Sequence, residues 1–170
     1  MPSVISGSSN LIVVSNTTPI SELAKIGRLD LLRNLYGRIF IPQEVFDELT
    51  TGTHPAAQSL RQTAWIEIRP VTDPQKAIAL HTQTKLGLGE CEAIILTEEL
   101  SAHRLLIDDH DARREALSRN LPIIGTVGII LLAKQLGLIP TVKDILDDLI
   151  AHGTRIGRRL YLDALAVAGE

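Results

Sequence analysis

Apolar positions come in short runs set between longer stretches of helical periodicity. Residues 11–14 (LIVV) carry no charge, and the polar turn Ser15, Asn16, Thr17, Thr18 follows at once, then Pro19. An apolar run of that length ahead of a polar turn reads as a buried strand of a parallel sheet. Thr18 is expected to N-cap the next helix, with Pro19 in its first position, where a missing N–H costs nothing. Ile20, Leu23, Ala24 and Ile26 form one helical stripe, ended by Gly27, and Leu29, Leu31, Leu32 and Leu35 form another, ended by Gly37. Residues 38–41 (RIFI) read as a second strand. Pro42 then opens a helix on which Val45, Glu48 and Leu49 share the inward face.

The alternation continues to the end of the chain. Residues 54–64 read as a short helix, and 66–71 (IEIRPV) as an edge strand limited by Pro70. Asp73 and Pro74 start a helix through Ala77, Ile78 and Leu80. Gly87 and Gly89 are expected to bracket a turn before a strong helix over 90–100. Residues 104–107 (RLLI) form a strand ending at Asp108, Asp109, His110 and Asp111, followed by a helix over 112–119 and a strand over 121–124. Three helices close the chain, over 127–136, from a capping pair of Thr141 and Asp144, and from about 156 to 168. Strands alternating with helices imply right-handed crossovers and a mostly parallel sheet. Residues 1–10 are expected to be a loose tail and 11–170 one α/β domain.

Composition narrows what such a fold can do. Aromatic residues are 3% of the chain, so the core is aliphatic and nucleobase stacking has little material. The net charge of −3 excludes a bulk electrostatic nucleic-acid binder, leaving a local basic patch or a bound metal as the means of attracting phosphate. A single cysteine, Cys91, excludes an intramolecular disulfide and fits a cytoplasmic protein. No apolar run is long enough to span a membrane, and the first ten residues lack a signal-peptide pattern.

The candidate chemistry follows from where a parallel sheet puts its acids. Residues just after a strand, and those in the first turns of neighbouring helices, gather at the carboxyl edge. Asn16 follows the first strand, Asp108 and Asp109 follow the strand over 104–107, Glu90 starts a helix, and Glu48 lies in a helix's second turn. Carboxylates brought together repel unless a cation sits among them. Oxygen donors without His or Cys favour Mg²⁺ or Mn²⁺, and such an ion suits phosphodiester hydrolysis. Each acid also has a structural reading: Glu90 satisfies a helix dipole, Asp108 or Asp109 caps a helix, and Glu48 is solvated. Glu92 and Asp111 read as solvated neighbours.

Other polar residues offer less. The five histidines have no zinc-ligand spacing. His110 reads as a helix-start residue, and Cys91 has no base beside it. Arg113 and Arg114 form one basic cluster, and Arg155, Arg158 and Arg159 form another. Either can contact phosphate or solvent. The apolar stretches at 127–138 and 160–168 can supply core or a dimer interface.

Five segments taken in order, SNTTPISELAKIGRLDLL, IPQEVFDEL, LGLGECEAIIL, LLIDDHDAR and GTVGIILLAKQLGLI, resemble PIN-domain proteins, and look closest to a VapC-like prokaryotic branch. The resemblance covers about residues 11–168. It implies a three-layer α/β/α fold with a central, mostly parallel sheet of four to five strands. It also implies a Mg²⁺- or Mn²⁺-dependent ribonuclease site acting on single-stranded or structured RNA. The family's acidic quartet would fall on Asn16, Glu48, Glu90 and Asp108, with Asp109 as alternative or partner. Glu48, Glu90 and Asp108 would be the catalytic carboxylates. Many members are toxins held by a small antitoxin protein, and many are homodimers, so both partners are expected by resemblance. The departure is Asn16, where the family usually has Asp. Losing one unit charge ~4 Å from a cation, at an effective dielectric of ~20, is worth of order 4 kcal/mol. The alternative to a nuclease is therefore a PIN-fold module that binds nucleic acid or protein without turnover. A third reading, a Mg²⁺-dependent phosphatase or phosphoacceptor using Asp108 or Asp109, is weakened by an amide in the position after the first strand.

Overall fold

A computed structural model describes residues 11–170, so the expected tail at 1–10 lies outside the described residues. Five short strands form one parallel sheet: β1 (Val13–Ser15), β2 (Ile39–Ile41), β3 (Ile66–Ile68), β4 (Arg104–Leu106) and β5 (Ile123–Ile124). Their order is β3-β2-β1-β4-β5, which makes β1 central and β3 an edge, as Pro70 had suggested.

Strand alternation builds two cores. Val13, Ile39, Ile41 and Leu106 face one side, against α1 (Thr17–Lys25), α2 (Asp30–Tyr36), α3 (Gln43–Thr50), α4 (Ala57–Gln62), α8 (Thr126–Gln135), α9 (Val142–Ala151) and α10 (Arg158–Ala168). Val14, Phe40, Leu105 and Ile107 face the other, against α5 (Pro74–Thr84), α6 (Leu88–Glu99) and α7 (His110–Ser118). This is a three-layer α/β/α fold. Val14 pairs with both Phe40 and Leu105, so three same-face residues lie in one row across the sheet. Each fully buried aliphatic side chain contributes about 1.5–3 kcal/mol. A one-residue slip of β1 would send Val13 and Val14 to the wrong cores and forfeit that packing.

Several local expectations are corrected. The first helix starts at Thr17, not after Thr18, so Asn16 is the N-cap residue and Pro19 is the third residue of its first turn. Gly89 is no turn residue; it sits buried in the first turn of α6, whose N-cap is Gly87. Thr141 makes no cap bond to α9. The backbone N–H groups of Val142 and Lys143 instead donate to Glu170, at 2.7 and 3.1 Å. A carboxylate from the far end of the chain thus does the work expected of the neighbouring hydroxyl. Among the described residues, no helix is long and apolar enough to cross a membrane.

Candidate active site

The strand order reverses direction around β1: the chain moves outward through β2 and β3, then returns to the other flank as β4. Open α/β sheets have a crevice at such a switch point, outside the carboxyl ends of the two strands. Asn16 follows β1 there, and its backbone N–H donates to Leu106 at the end of β4, at 2.9 Å. Asp108 and Asp109 follow the end of β4 by two and three residues.

Asn16 is 3% exposed, and its side chain makes no cap hydrogen bond. Its Oδ1 is buried with no hydrogen-bond partner among the described residues. Asparagine is favoured at N-caps because its oxygen satisfies a free helix N–H. Here that bond is forgone, and a buried unpaired acceptor costs about 1–3 kcal/mol. An orphaned acceptor at a strand end is what a cation or a ligand N–H would satisfy.

Glu48 is exposed rather than turned inward with Val45 and Leu49. It still reaches the crevice. Thr17 Oγ1 donates to Glu48 Oε2 at 2.5 Å, which fastens the carboxylate to the residue beside Asn16. Its other oxygen lies where a Cβ on Gly89 would stand, 2.6 Å away. The lack of a side chain at Gly89 therefore lets α3 bring its acid against the start of α6.

Glu90 is half-buried in the first turn of α6, and its Oε2 accepts the N–H of Gly87 at 3.0 Å. Burial pushes its carboxyl above the usual range, and the charges of Asp109, Glu48 and Asp111 push the same way against that hydrogen bond. Glu48, Glu90 and Asp109 thus share one electrostatic neighbourhood. Asp109 caps α7, accepting the N–H of Ala112 at 2.9 Å.

Asp108 is turned differently. Its two oxygens accept the backbone N–H and the hydroxyl of Thr126, at 2.7 and 2.5 Å. Its carboxyl is raised by burial, against the Thr126 bonds and the charge of Arg113, while Glu22 raises it further. Arg113 Nη1 also donates to the carbonyl of Ile107 at 2.9 Å, bracing the turn. Gly125 is required here, since a Cβ would stand 2.9 Å from Asp108 Oδ1.

The donor set is all oxygen, the chemistry that suits Mg²⁺ or Mn²⁺. Among the described residues no three His, Cys, Asp or Glu side chains stand close enough to hold an ion by themselves. The buried, unpartnered amide oxygen of Asn16 is a further hard donor at the same strand edge, so the residues fit such an ion in kind.

A family model for the PIN domain matches residues 12–170. The chain belongs to the PIN-domain family. No curated protein and no solved structure matches it.

Sequence pattern alone did not reveal how this PIN domain holds its acids. Glu92, expected to be solvated, accepts the backbone N–H of Glu44 at 3.1 Å and so caps the start of α3 with a side chain from α6. That bond spans 48 residues, and no local pattern announces it. Thr126 as the partner of Asp108 had only the faint signal of a Gly-Thr pair after the fifth strand. Cys91 is buried and its thiol is pushed up to about 11, mainly by burial, which agrees with its dismissal as a nucleophile. His110 is exposed at the start of α7, next to Asp111.

Proposed function

We propose that this PIN domain is a Mg²⁺- or Mn²⁺-dependent endoribonuclease. The observation that carries the reading is the buried, unpartnered Oδ1 of Asn16 at the sheet's switch point, beside a neighbourhood shared by Glu48, Glu90 and Asp109. Asn16, Glu48, Glu90 and Asp109 are the residues that would hold the ion. When bound, the ion would activate water and offset charge building on a phosphoryl oxygen.

The chain's own groups divide the remaining work. Thr17 fixes Glu48 through Oε2. Gly87 N–H occupies Glu90 Oε2, which leaves Oε1 to take a proton from an attacking water. Asp109 is held by its own helix cap, and Asp108, tied to Thr126, positions the turn that presents it.

The test is cleavage of a labelled single-stranded RNA with Mn²⁺ by purified protein. Glu90→Gln and Asp109→Asn should each abolish it, and Asp108→Asn should lower it. Cleavage that survives all three substitutions belongs to a contaminant and ends the proposal.

A VapC-like toxin paired with a small antitoxin, and a homodimer, are finer versions of this reading. The exposed side chains Leu162 and Val167 on α10 are apolar surface that a partner would cover. A second reading, a binding module without turnover, is favoured by the missing charge at residue 16. It expects RNA retention in EDTA and no cleavage with Mn²⁺.

A further inference from the structure

Beside the crevice a cavity of about 360 Å³ opens between α1, α8 and the connection from α9 to α10. That volume is within the range of small-ligand pockets, about 300–1,000 Å³. Its floor is polar: Glu22, Asp108, Thr126 and Thr154 line it. Its walls are aliphatic, from Val127, Ile156 and Leu160. Arg155 stands at its edge, exposed.

The floor is rich in fixed acceptors. Glu22 accepts the Thr154 hydroxyl on Oε2 and Lys25 Nζ on Oε1 at 2.7 Å, and Asp108 is held by Thr126. Each carboxylate oxygen has two lone pairs, so acceptor capacity remains on both acids. One charged donor, Arg155, lines the mouth, and the start of α10 follows it in the chain. Arg155 and Arg158 form no ion pair among the described residues. The α10 helix begins at Arg158 with no side-chain cap and no acid in its first turn. Its first helical bond is Tyr161 N–H to Gly157, at 2.9 Å, so the amides of Arg158, Arg159 and Leu160 lie before it. Free amides at a helix start, with a guanidinium beside them, suit a phosphate.

We infer that this cavity is a nucleotide subsite, with a base between the aliphatic walls and its phosphate on Arg155 and the start of α10. The inference rests on the nuclease reading for its substrate class. An acceptor floor selects bases that show adjacent N–H donors. Guanine presents two, at N1 and N2, whereas uracil presents one donor between two carbonyls. The subsite is therefore guanine-selective, and because Asp108 belongs to both places the base it holds lies next to the crevice.

The test is titration calorimetry in EDTA, where cleavage cannot intervene, with guanosine monophosphate, uridine monophosphate and inorganic phosphate as probes. Guanosine monophosphate should bind tighter than the other two. Arg155→Ala, at an exposed position, should weaken both nucleotides about tenfold, the loss of one charge-assisted contact. Glu22→Gln should remove the preference for guanine over uracil. Leu160→Trp, also at an exposed position, should weaken nucleotides while leaving phosphate unchanged. Guanosine monophosphate binding no better than phosphate, or a base preference untouched by both Glu22→Gln and Leu160→Trp, overturns the subsite. Guanine-selective binding without any Mn²⁺-dependent cleavage keeps the subsite and removes the nuclease; cleavage without selective binding does the reverse.

Discussion

Glu48 can approach the start of α6 because residue 89 is glycine: a Cβ there would lie 2.6 Å from Glu48 Oε1. The two residues come from helices 41 positions apart and meet over the crevice. Gly89→Ala separates stability from function. Alanine is worth about 0.8–1 kcal/mol more than glycine inside a helix, and the obstructing atom is the end of a flexible side chain. Thermal unfolding should show a midpoint unchanged or higher, while Mn²⁺-dependent RNA cleavage falls about tenfold, equivalent to ~1.4 kcal/mol in the barrier. A stable variant with full activity would mean that Glu48 works from another position.

Glu90 offers a test by pH. Its carboxyl is raised in the folded state by burial and by the charges of Asp109, Glu48 and Asp111. A carboxyl with a raised folded value binds protons more tightly when folded, so its contribution is most favourable below the unfolded value of about 4.3. That contribution is lost as pH rises through the folded value. Glu90→Gln keeps an acceptor for Gly87 and removes the charge. The variant should therefore melt higher than the parent at pH 7, by about 2–4 °C for each 1 kcal/mol of strain relieved. The gain should shrink as the buffer is taken below pH 4.5. A gain of the same size at every pH would show that the effect is not electrostatic.

Asn16→Asp places a charge where the chain has only a dipole. The site is almost wholly buried, so in EDTA a new carboxylate there should make the variant less stable than the parent, by about 1–3 kcal/mol in urea unfolding. Added Mn²⁺ should reverse that order, because the new carboxylate is the stronger ligand for a hard cation. Calorimetric titration with Mn²⁺ should give a tighter constant for the variant. If Mn²⁺ raises the stability of neither protein, residue 16 has no part in holding a metal.

Glu92 is the test of the scaffold. It joins α6 to the first turn of α3 through the N–H of Glu44 at 3.1 Å. Glu92→Ala should cost about 1 kcal/mol, the usual loss for a helix cap, and should lower cleavage because α3 carries Glu48. Glu92→Gln keeps an acceptor and should recover most of both. Recovery of stability without recovery of cleavage would assign the charge itself a role at the site.

The chain's architecture was open to sequence reasoning wherever the physics was local. Runs such as LIVV and RLLI mark strands because Val13, Val14, Leu105 and Leu106 are buried against one helical layer or the other, even though Leu11 and Arg104 at their starts are exposed. Proline and glycine at 42, 74, 37 and 137 mark element ends because backbone geometry leaves few alternatives. The arrangement of acids was less legible. Which of Asp108 and Asp109 faces Glu90 depends on side-chain direction within a turn, and both occupy the same sequence context. Glu92 on α3 and Glu170 on α9 act across 48 and 28 residues, where no periodicity can speak. Asn16 was legible as an oxygen donor just after the first strand, but the isolation of its buried Oδ1 was not. Its importance lies in a bond it does not make, and sequence has no sign for that.

Cys91 follows Glu90 directly, and it is the chain's sole thiol. Burial and a thiol value of about 11 leave almost no thiolate at neutral pH while the fold is closed. Alkylation must then wait for the first turn of α6 to open, so the labelling rate becomes a clock for excursions of the crevice itself. The same clock read with and without Mn²⁺, or with a nucleotide in the adjoining cavity, would report how firmly each ligand holds that turn shut.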